Sequence, residues 1–245
     1  MTTIEVCAGS LESAIIAQQC GAHRVELCDS LETGGLTPSF GTLQQAARLL
    51  RLNTHVLIRP RNGDYVYDDQ LLEVMVSDIA LVKQLGFKGV VIGALDRRAN
   101  IDLARLPVLL QAAEGLSVTF HRAFDLCAKP FEAAEKLIQL KVDRILTSGQ
   151  RPTAFEGIPM IADLVREFGQ HISFMPGSGI NGSNISEIIR KTGVNECHLS
   201  GRQAVRAAGP TTGLMRWQSD AFIRYETSAS ALREIMELVK VLPEH

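Results

Sequence analysis

Two Glu-x-Cys triplets, Glu5-Val6-Cys7 and Glu26-Leu27-Cys28, each close a short apolar run near the start of the chain. Side chains alternate across a β-strand, so each glutamate shares a face with its cysteine. If both faces point into one interior at the same height, two carboxylates and two thiols meet there. By the same alternation His55, Leu57 and Arg59 share a face, as do Thr119 and His121, and His198 and Ser200. Such a set suits two chemistries. Thiolates of Cys7 and Cys28, with His121 or His198 as a further ligand, match a soft ion such as Cu(I). Alternatively, Glu5, Glu26 or His121 transfers a proton to or from a bound small molecule. Buried glutamates require a cation nearby, and Arg59 is the candidate. Asp125, which ends Thr119-Phe120-His121-Arg122-Ala123-Phe124-Asp125, is expected to orient His121 and raise its basicity.

Glycine-rich turns supply a third element. Thr147-Ser148-Gly149-Gln150, Pro176-Gly177-Ser178-Gly179 and Ser200-Gly201-Arg202 each follow an apolar run. Backbone N–H groups in such turns cradle anions. Arg59, Ser148, Gly177, Ser178, Gly179 and Ser200 are therefore the candidate substrate- and anion-binding residues. Plainer readings compete: a free cysteine is often a small core hydrophobe, glycine turns can serve packing alone, and Arg61 with Asp64 reads as a surface ion pair. A polar layer in which Arg59 only neutralises Glu5 and Glu26 is the structural alternative.

The elements that must carry these residues are eight short runs: Ile4–Ala8, Arg24–Cys28, His55–Pro60, Gly89–Leu95, Ser117–Phe124, Arg144–Gly149, Ile172–Pro176 and Glu196–Ser200. Between them apolar residues recur at helical spacing, as in Leu72, Met75, Val76, Ile79 and Val82. Strand and helix in strict alternation imply a parallel sheet covered by helices. Eight units in 245 residues fit a closed (β/α)8 barrel, a TIM barrel, as one domain over residues 1–245. An open doubly wound sheet fits less well, because Ala8-Gly9-Ser10 is too poor in glycine for its first turn. In a barrel the named residues gather at the carboxyl ends of the strands, where active sites of this fold lie.

Helix ends are marked too. Ser10 caps a helix beginning at Leu11 and stopped by Gly21, while Asn184 with Glu187 reads as a capping pair. Residues 201–227 form a long connection before a last helix at Ser228–Lys240; its Trp217, Phe222 and Tyr225 suggest burial against the barrel or a neighbouring subunit.

Composition narrows the partners. Hydrophobic residues make up 46% and charged ones 21%, enough for a sizeable core. A net charge of −2 gives no footprint for nucleic acid or an anionic membrane. No apolar stretch is long enough to span a bilayer, and Met1-Thr2-Thr3 lacks a basic leader, so a cytoplasmic location is expected. Five cysteines at positions 7, 20, 28, 127 and 197 have no compact zinc spacing and argue against a disulfide framework.

Val25-Glu26-Leu27-Cys28, Gly34-Gly35-Leu36-Thr37-Pro38-Ser39, Ile58-Arg59-Pro60-Arg61 with Gly63-Asp64, Thr119 through Asp125, and Leu146-Thr147-Ser148-Gly149 together carry a resemblance. From Met1 to about Gly201 the chain resembles the CutC family of copper-homeostasis proteins. The resemblance implies a (β/α)8 barrel, a cytoplasmic location, self-association as a dimer or tetramer, and a part in copper tolerance through Cu(I) binding. Carboxylates and Arg59 are odd companions for a soft monovalent ion. They suit the alternative reading, an enzyme of lyase, aldolase or isomerase type acting on a small anionic, phosphorylated or hydroxylated metabolite, and both readings stay open. The strand runs hold no lysine, which disfavours a Schiff-base aldolase.

Overall fold

Eight parallel strands follow one another around a ring: β1 (Thr3–Ala8), β2 (Arg24–Leu27), β3 (Asn53–Leu57), β4 (Gly89–Ile92), β5 (Ser117–Phe120), β6 (Arg144–Thr147), β7 (Ser173–Pro176) and β8 (Glu196–Leu199). In the computed structural model, which describes residues 2–206 and 223–241, the ladder runs β7-β6-β5-β4-β3-β2-β1-β8. β7 and β8 lie side by side at the seam, outside the ladder. The helices are α1 (Leu11–Gln19), α2 (Phe40–Leu49), α3 (Asp69–Gln84), α4 (Leu106–Ala112), α5 (Pro130–Gln139), α6 (Ile158–Phe168), α7 (Ile185–Thr192) and α8 (Ala229–Lys240). The chain is thus the (β/α)8 barrel that the alternating pattern implies.

Alternation along each strand divides the core in two. Ile4, Val6, Val25, Leu27, Val56, Val90, Ile92, Ile145 and Phe174 face outward and join the apolar stripes of the helices. Inside, a small separate cluster of Cys7, Cys28, Leu57 and Val91 packs near the mouth. Leu146 and Met175 are also buried on the inner side, and most of the other inward positions are polar, so much of the barrel interior is given to a site rather than to packing. Ser10, Ser39, Asp68 and Ser228 each accept a hydrogen bond from the backbone N–H three residues on, which fixes where α1, α2, α3 and α8 begin.

Four local expectations are corrected. The capping pair at α7 does not form: Asn184 Oδ1 accepts from Asn181 N, and Glu187 pairs with Lys191 instead. β5 stops at Phe120, and Arg122–Leu126 is a 3-10 turn that buries Ala123 and Phe124. β4 likewise stops short of Leu95. The connection at 201–227 contains two antiparallel strands, β9 (Arg202–Arg206) and β10 (Ile223–Thr227). Tyr225 on β10 is half exposed under the Arg202 guanidinium rather than buried against the barrel, and Trp217 and Phe222 fall outside the described residues.

Candidate functional site

The carboxyl mouth encloses a cavity of about 540 Å³. Cys7, Glu26, Arg59, His121, Asp125 and His198 line it, together with Ser178, Gly179 and Ser200 from the turns after β7 and β8. Cys28 packs on Cys7 below this surface with Sγ atoms 3.7 Å apart, and Ser148 and Gly177 lie in the adjoining loops. Residues separated by nearly the whole barrel sequence therefore meet at one end, because each sits at an inward position near the carboxyl end of its strand or in the loop that follows it.

The cations are distributed differently from the sequence-based expectation. Arg59 does not pair with Glu5 or Glu26. Its guanidinium bends toward the β2 and β3 loops, donating from Nη1 to the Thr33 (3.0 Å) and Gly35 (2.8 Å) carbonyls and from Nη2 to the Gly63 carbonyl (3.0 Å). It lies 5.0 Å from the Tyr65 ring centre, and its buried Nε has no partner among the described residues. Among the described residues no carboxylate lies within ion-pair distance of it. Arg61, by contrast, forms the surface pair with Asp64 at 2.7 Å.

Glu5 is served from beneath by Arg24, whose Nε donates to Glu5 Oε2, and from the side by His198, whose Nδ1 lies 2.7 Å from Glu5 Oε1. Burial alone would raise the Glu5 pKa, but the His198 hydrogen bond and the Arg24 charge outweigh it and hold the carboxyl ionised. Arg24 also reaches Glu196 and, across the barrel, the Met175 sulfur at 3.2 Å. Arg144 bonds Glu196 (3.2 Å), Ser117 (2.9 Å) and Thr119 (3.2 Å). Arg24, Arg144 and Glu196 were absent from the sequence-derived set. Each opens a strand and shares the parity of Glu26, Ser148 and His198, and that parity was the signal available.

Glu26 has a different environment. Cys7 Sγ lies 3.3 Å from its Oε1, and its buried Oε2 has no partner among the described residues. Desolvation raises its pKa against the pull of His198. His198 loses charge stability to burial but regains more from Glu26 and Glu5, so its pKa is raised. The Cys7 thiol is pushed up by Cys28, burial and Glu26. Cys7, Glu26 and His198 place ligand-type atoms within 4.8 Å of one another. His121 stands apart from this group.

Asp125 does not orient His121. The 3-10 turn swings its carboxylate toward the β6 loop, where it accepts from Ser148 N (3.0 Å), Gln150 N (3.3 Å) and Thr147 Oγ1 (2.5 Å), while Arg122 closes an ion pair at 2.8 Å. The amides expected to cradle a substrate anion at Ser148 thus hold an internal carboxylate. The Gly177 amide is also committed, to the Thr147 carbonyl at 2.9 Å. His121 takes its orientation from the backbone: its Nδ1 accepts from Ala123 N at 3.2 Å, its ring centre lies 4.7 Å from that of Tyr65, and its edge rests on Gly93. A Cβ on Gly93 would come within 2.4 Å of His121 Cε1, and one on Gly89 within 2.5 Å of His55 Cδ2. β4 therefore leaves two gaps in the inner wall, one filled by the imidazole of each neighbouring strand.

This arrangement has close relatives, and the family's sequence pattern matches residues 2–203. The chain belongs to the CutC family. A CutC protein of Xanthomonas axonopodis pv. citri is 50% identical over 208 residues, covering 85% of this chain and 87% of its own. One from Pasteurella multocida is 49% identical over 199 residues, covering 81% and 82%. The crystal structure of the Streptococcus agalactiae CutC protein, assigned by name to copper homeostasis, superposes with a TM-score of 0.78 at 34% identity, covering 82% of this chain and 99% of that one. Phosphoribosylanthranilate isomerase of Thermotoga maritima, 11% identical with a TM-score of 0.60, shares the barrel and nothing more specific. The CutC match ends inside β9, so the segment that follows lies beyond what the family pattern covers.

Proposed function

We propose that this CutC protein is a barrel enzyme that binds a small anionic metabolite at its carboxyl mouth and moves a proton on it. The observation that carries the reading is Arg59. A guanidinium remains charged at any physiological pH, and this one is only 3% exposed with carbonyl partners and no acidic one among the described residues. Buried charges are normally compensated, so an anion entering the cavity would complete it. Beside it, Glu26 and His121 each keep one buried polar atom without a partner among the described residues. A carboxylate with a raised pKa and a neutral imidazole lining one cavity are the equipment of proton transfer. Anion binding checks the reading: small carboxylates and phosphates titrated into the protein and followed by ligand-observed NMR should bind, and Arg59→Met should weaken that binding at least about tenfold. Equal binding by both proteins would overturn it.

Copper is the second reading, favoured by the 3.7 Å Cys7–Cys28 contact and by the Cys7, Glu26 and His198 group. Two thiols and an imidazole are suitable donors for Cu(I). Against it, Cys7 and His198 both have raised pKa values and a copper ion would have to displace their protons. A carboxylate is also a hard neighbour for a soft ion. Anaerobic competition with a Cu(I) chelator decides it: if the site is used, the double substitution Cys7→Ser/Cys28→Ser abolishes tight binding. A cytoplasmic location and self-association belong to this same proposal; the five free cysteines support the first, and sedimentation at several concentrations tests the second.

A further inference from the structure

The hydrogen bonding of His121 fixes more than its orientation. A neutral imidazole has one N–H donor and one acceptor nitrogen. Nδ1 is occupied as an acceptor by the Ala123 amide, so the ring's proton is on Nε2, and Nε2 has no partner among the described residues. His121 is thus a neutral donor without an acceptor, 5% exposed, beside a cavity that also holds Arg59 and Glu26. Burial and the nearby Arg59 charge hold its pKa down to about 3, so the ring does not become a second cation.

A guanidinium, a carboxylate and a neutral donor divide the work of one reaction type. Arg59 holds a fixed negative charge. Glu26 accepts a proton from carbon, which is acidic only next to a carbonyl. A neutral donor at the carbonyl oxygen stabilises the charge that develops there without binding the ground state as strongly as a cation would. We propose that His121 donates its Nε2–H to the carbonyl oxygen of an anionic α-hydroxycarbonyl substrate, from whose adjacent carbon Glu26 removes a proton. This deepens the enzyme reading and rests on it. The C–H electron pair becomes the C=C bond of an enediolate, the carbonyl π pair moves onto oxygen, and the proton resides on Glu26. Return to the same carbon, after the Glu26 carboxyl has traded its proton with water, gives exchange with solvent. Return of the proton to the neighbouring carbon, with the hydroxyl proton passed to the first oxygen, gives the isomeric carbonyl compound.

Two matched probe pairs test the assignment on the full chain: hydroxypyruvate against glycerate, and dihydroxyacetone phosphate against glycerol 3-phosphate. Members of a pair share the anion and differ in the carbonyl. For at least one pair the carbonyl member should bind about tenfold more tightly to the native protein. His121→Gln, whose amide can still donate, should keep that advantage, whereas His121→Phe should lose it and still bind the alcohol equally well. Which pair responds tells a carboxylate anchor from a phosphate anchor. Long-range ¹⁵N spectra of the native protein should show the His121 ring neutral with its proton on Nε2 from pH 5 to pH 8. Equal binding of both members of each pair, or a proton on Nδ1, overturns the role of His121 while leaving the anion site intact. Failure of both pairs to bind overturns the enzyme reading itself and this inference with it. If His121→Phe does not fold, Gly93→Ala, whose Cβ would displace the ring from its seat, should remove the same carbonyl advantage.

Discussion

The three imidazoles inside the barrel differ in charge because of what faces them. His198 lies between Glu5 and Glu26 and is held protonated more readily than a free histidine. His55, with burial dominant, falls to about 4, and His121 to about 3. Their effects on stability have a definite sign. Above pH 6.5 His121 is neutral folded and unfolded and contributes nothing to pH dependence. As pH falls below 6.5 the unfolded chain takes up a proton that the folded chain refuses, so stability is lost progressively down toward the folded pKa. Between pH 7 and pH 5 this amounts to about 2 kcal/mol for His121 alone. Urea unfolding at the two pH values should therefore show His121→Gln losing about 2 kcal/mol less than the native protein; equal losses would mean the ring is not held neutral. Glu5 obeys the opposite logic. Its lowered pKa stabilises the fold above its ordinary pKa, and that contribution fades as the pH falls below it. Removing its partner at neutral pH leaves a buried charge, so Arg24→Met should cost about 3–5 kcal/mol, and adding Glu5→Gln to it should recover part of the loss. Much of this site is legible in the sequence. Inward parity places Cys7, Glu26, His121 and His198 at one mouth. What parity could not supply was partner choice, because Arg59 and Asp125 sit where the chain leaves the strand, and their direction depends on loops.

At the scale of elements, the turn after β5 and the loop after β6 behave as one unit through Asp125. Asp125→Ala should release the amides of Ser148 and Gln150 and the Thr147 hydroxyl together. Charge-assisted hydrogen bonds lost at a buried carboxylate imply about 2–3 kcal/mol. Amide hydrogen exchange should accelerate at Ser148 and Gln150 ahead of the β2 and β3 strands; uniform acceleration would mean the loss is global instead. The extent of β5 was not readable from the sequence for a related reason. Ala123 and Phe124 resume apolar character just past His121 and Arg122, and hydrophobicity alone cannot tell a strand from a buried 3-10 turn. β4 presents the reverse case. Gly89, Val91 and Gly93 share its inward face, and two glycines at that parity are a sequence trace of the imidazoles resting on them. β9 and β10 are short and flank residues 207–222; Ile223 and Tyr225 alternate with Arg224 and Glu226 in β10, but five residues of such alternation are a weak signal inside a long connection.

At the scale of the whole barrel, the ladder is open at the seam where β7 and β8 meet. Side chains close it. Glu196 on β8 accepts from Ser173 on β7 at 3.1 Å, from Arg144 on β6 at 3.2 Å, and from Arg24 on β2. One carboxylate at the amino end of the barrel thus ties β8 to strands on both sides, and its partner Arg24 also holds Glu5 beneath the candidate site. Stability of the seam and ionisation of the site are consequently linked through a single guanidinium. Glu196→Ala leaves Arg24 and Arg144 without their shared partner while Glu5 still holds Arg24. About 3 kcal/mol is expected for breaking such a largely buried cluster. Hydrogen exchange locates the loss: the β7 and β8 amides should open at lower free energy than those of β3 and β4, whose ladders are complete on both edges. If all strands open together in Glu196→Ala, the ring is held by its helical jacket rather than by this staple, and the seam is not a separate unit of unfolding.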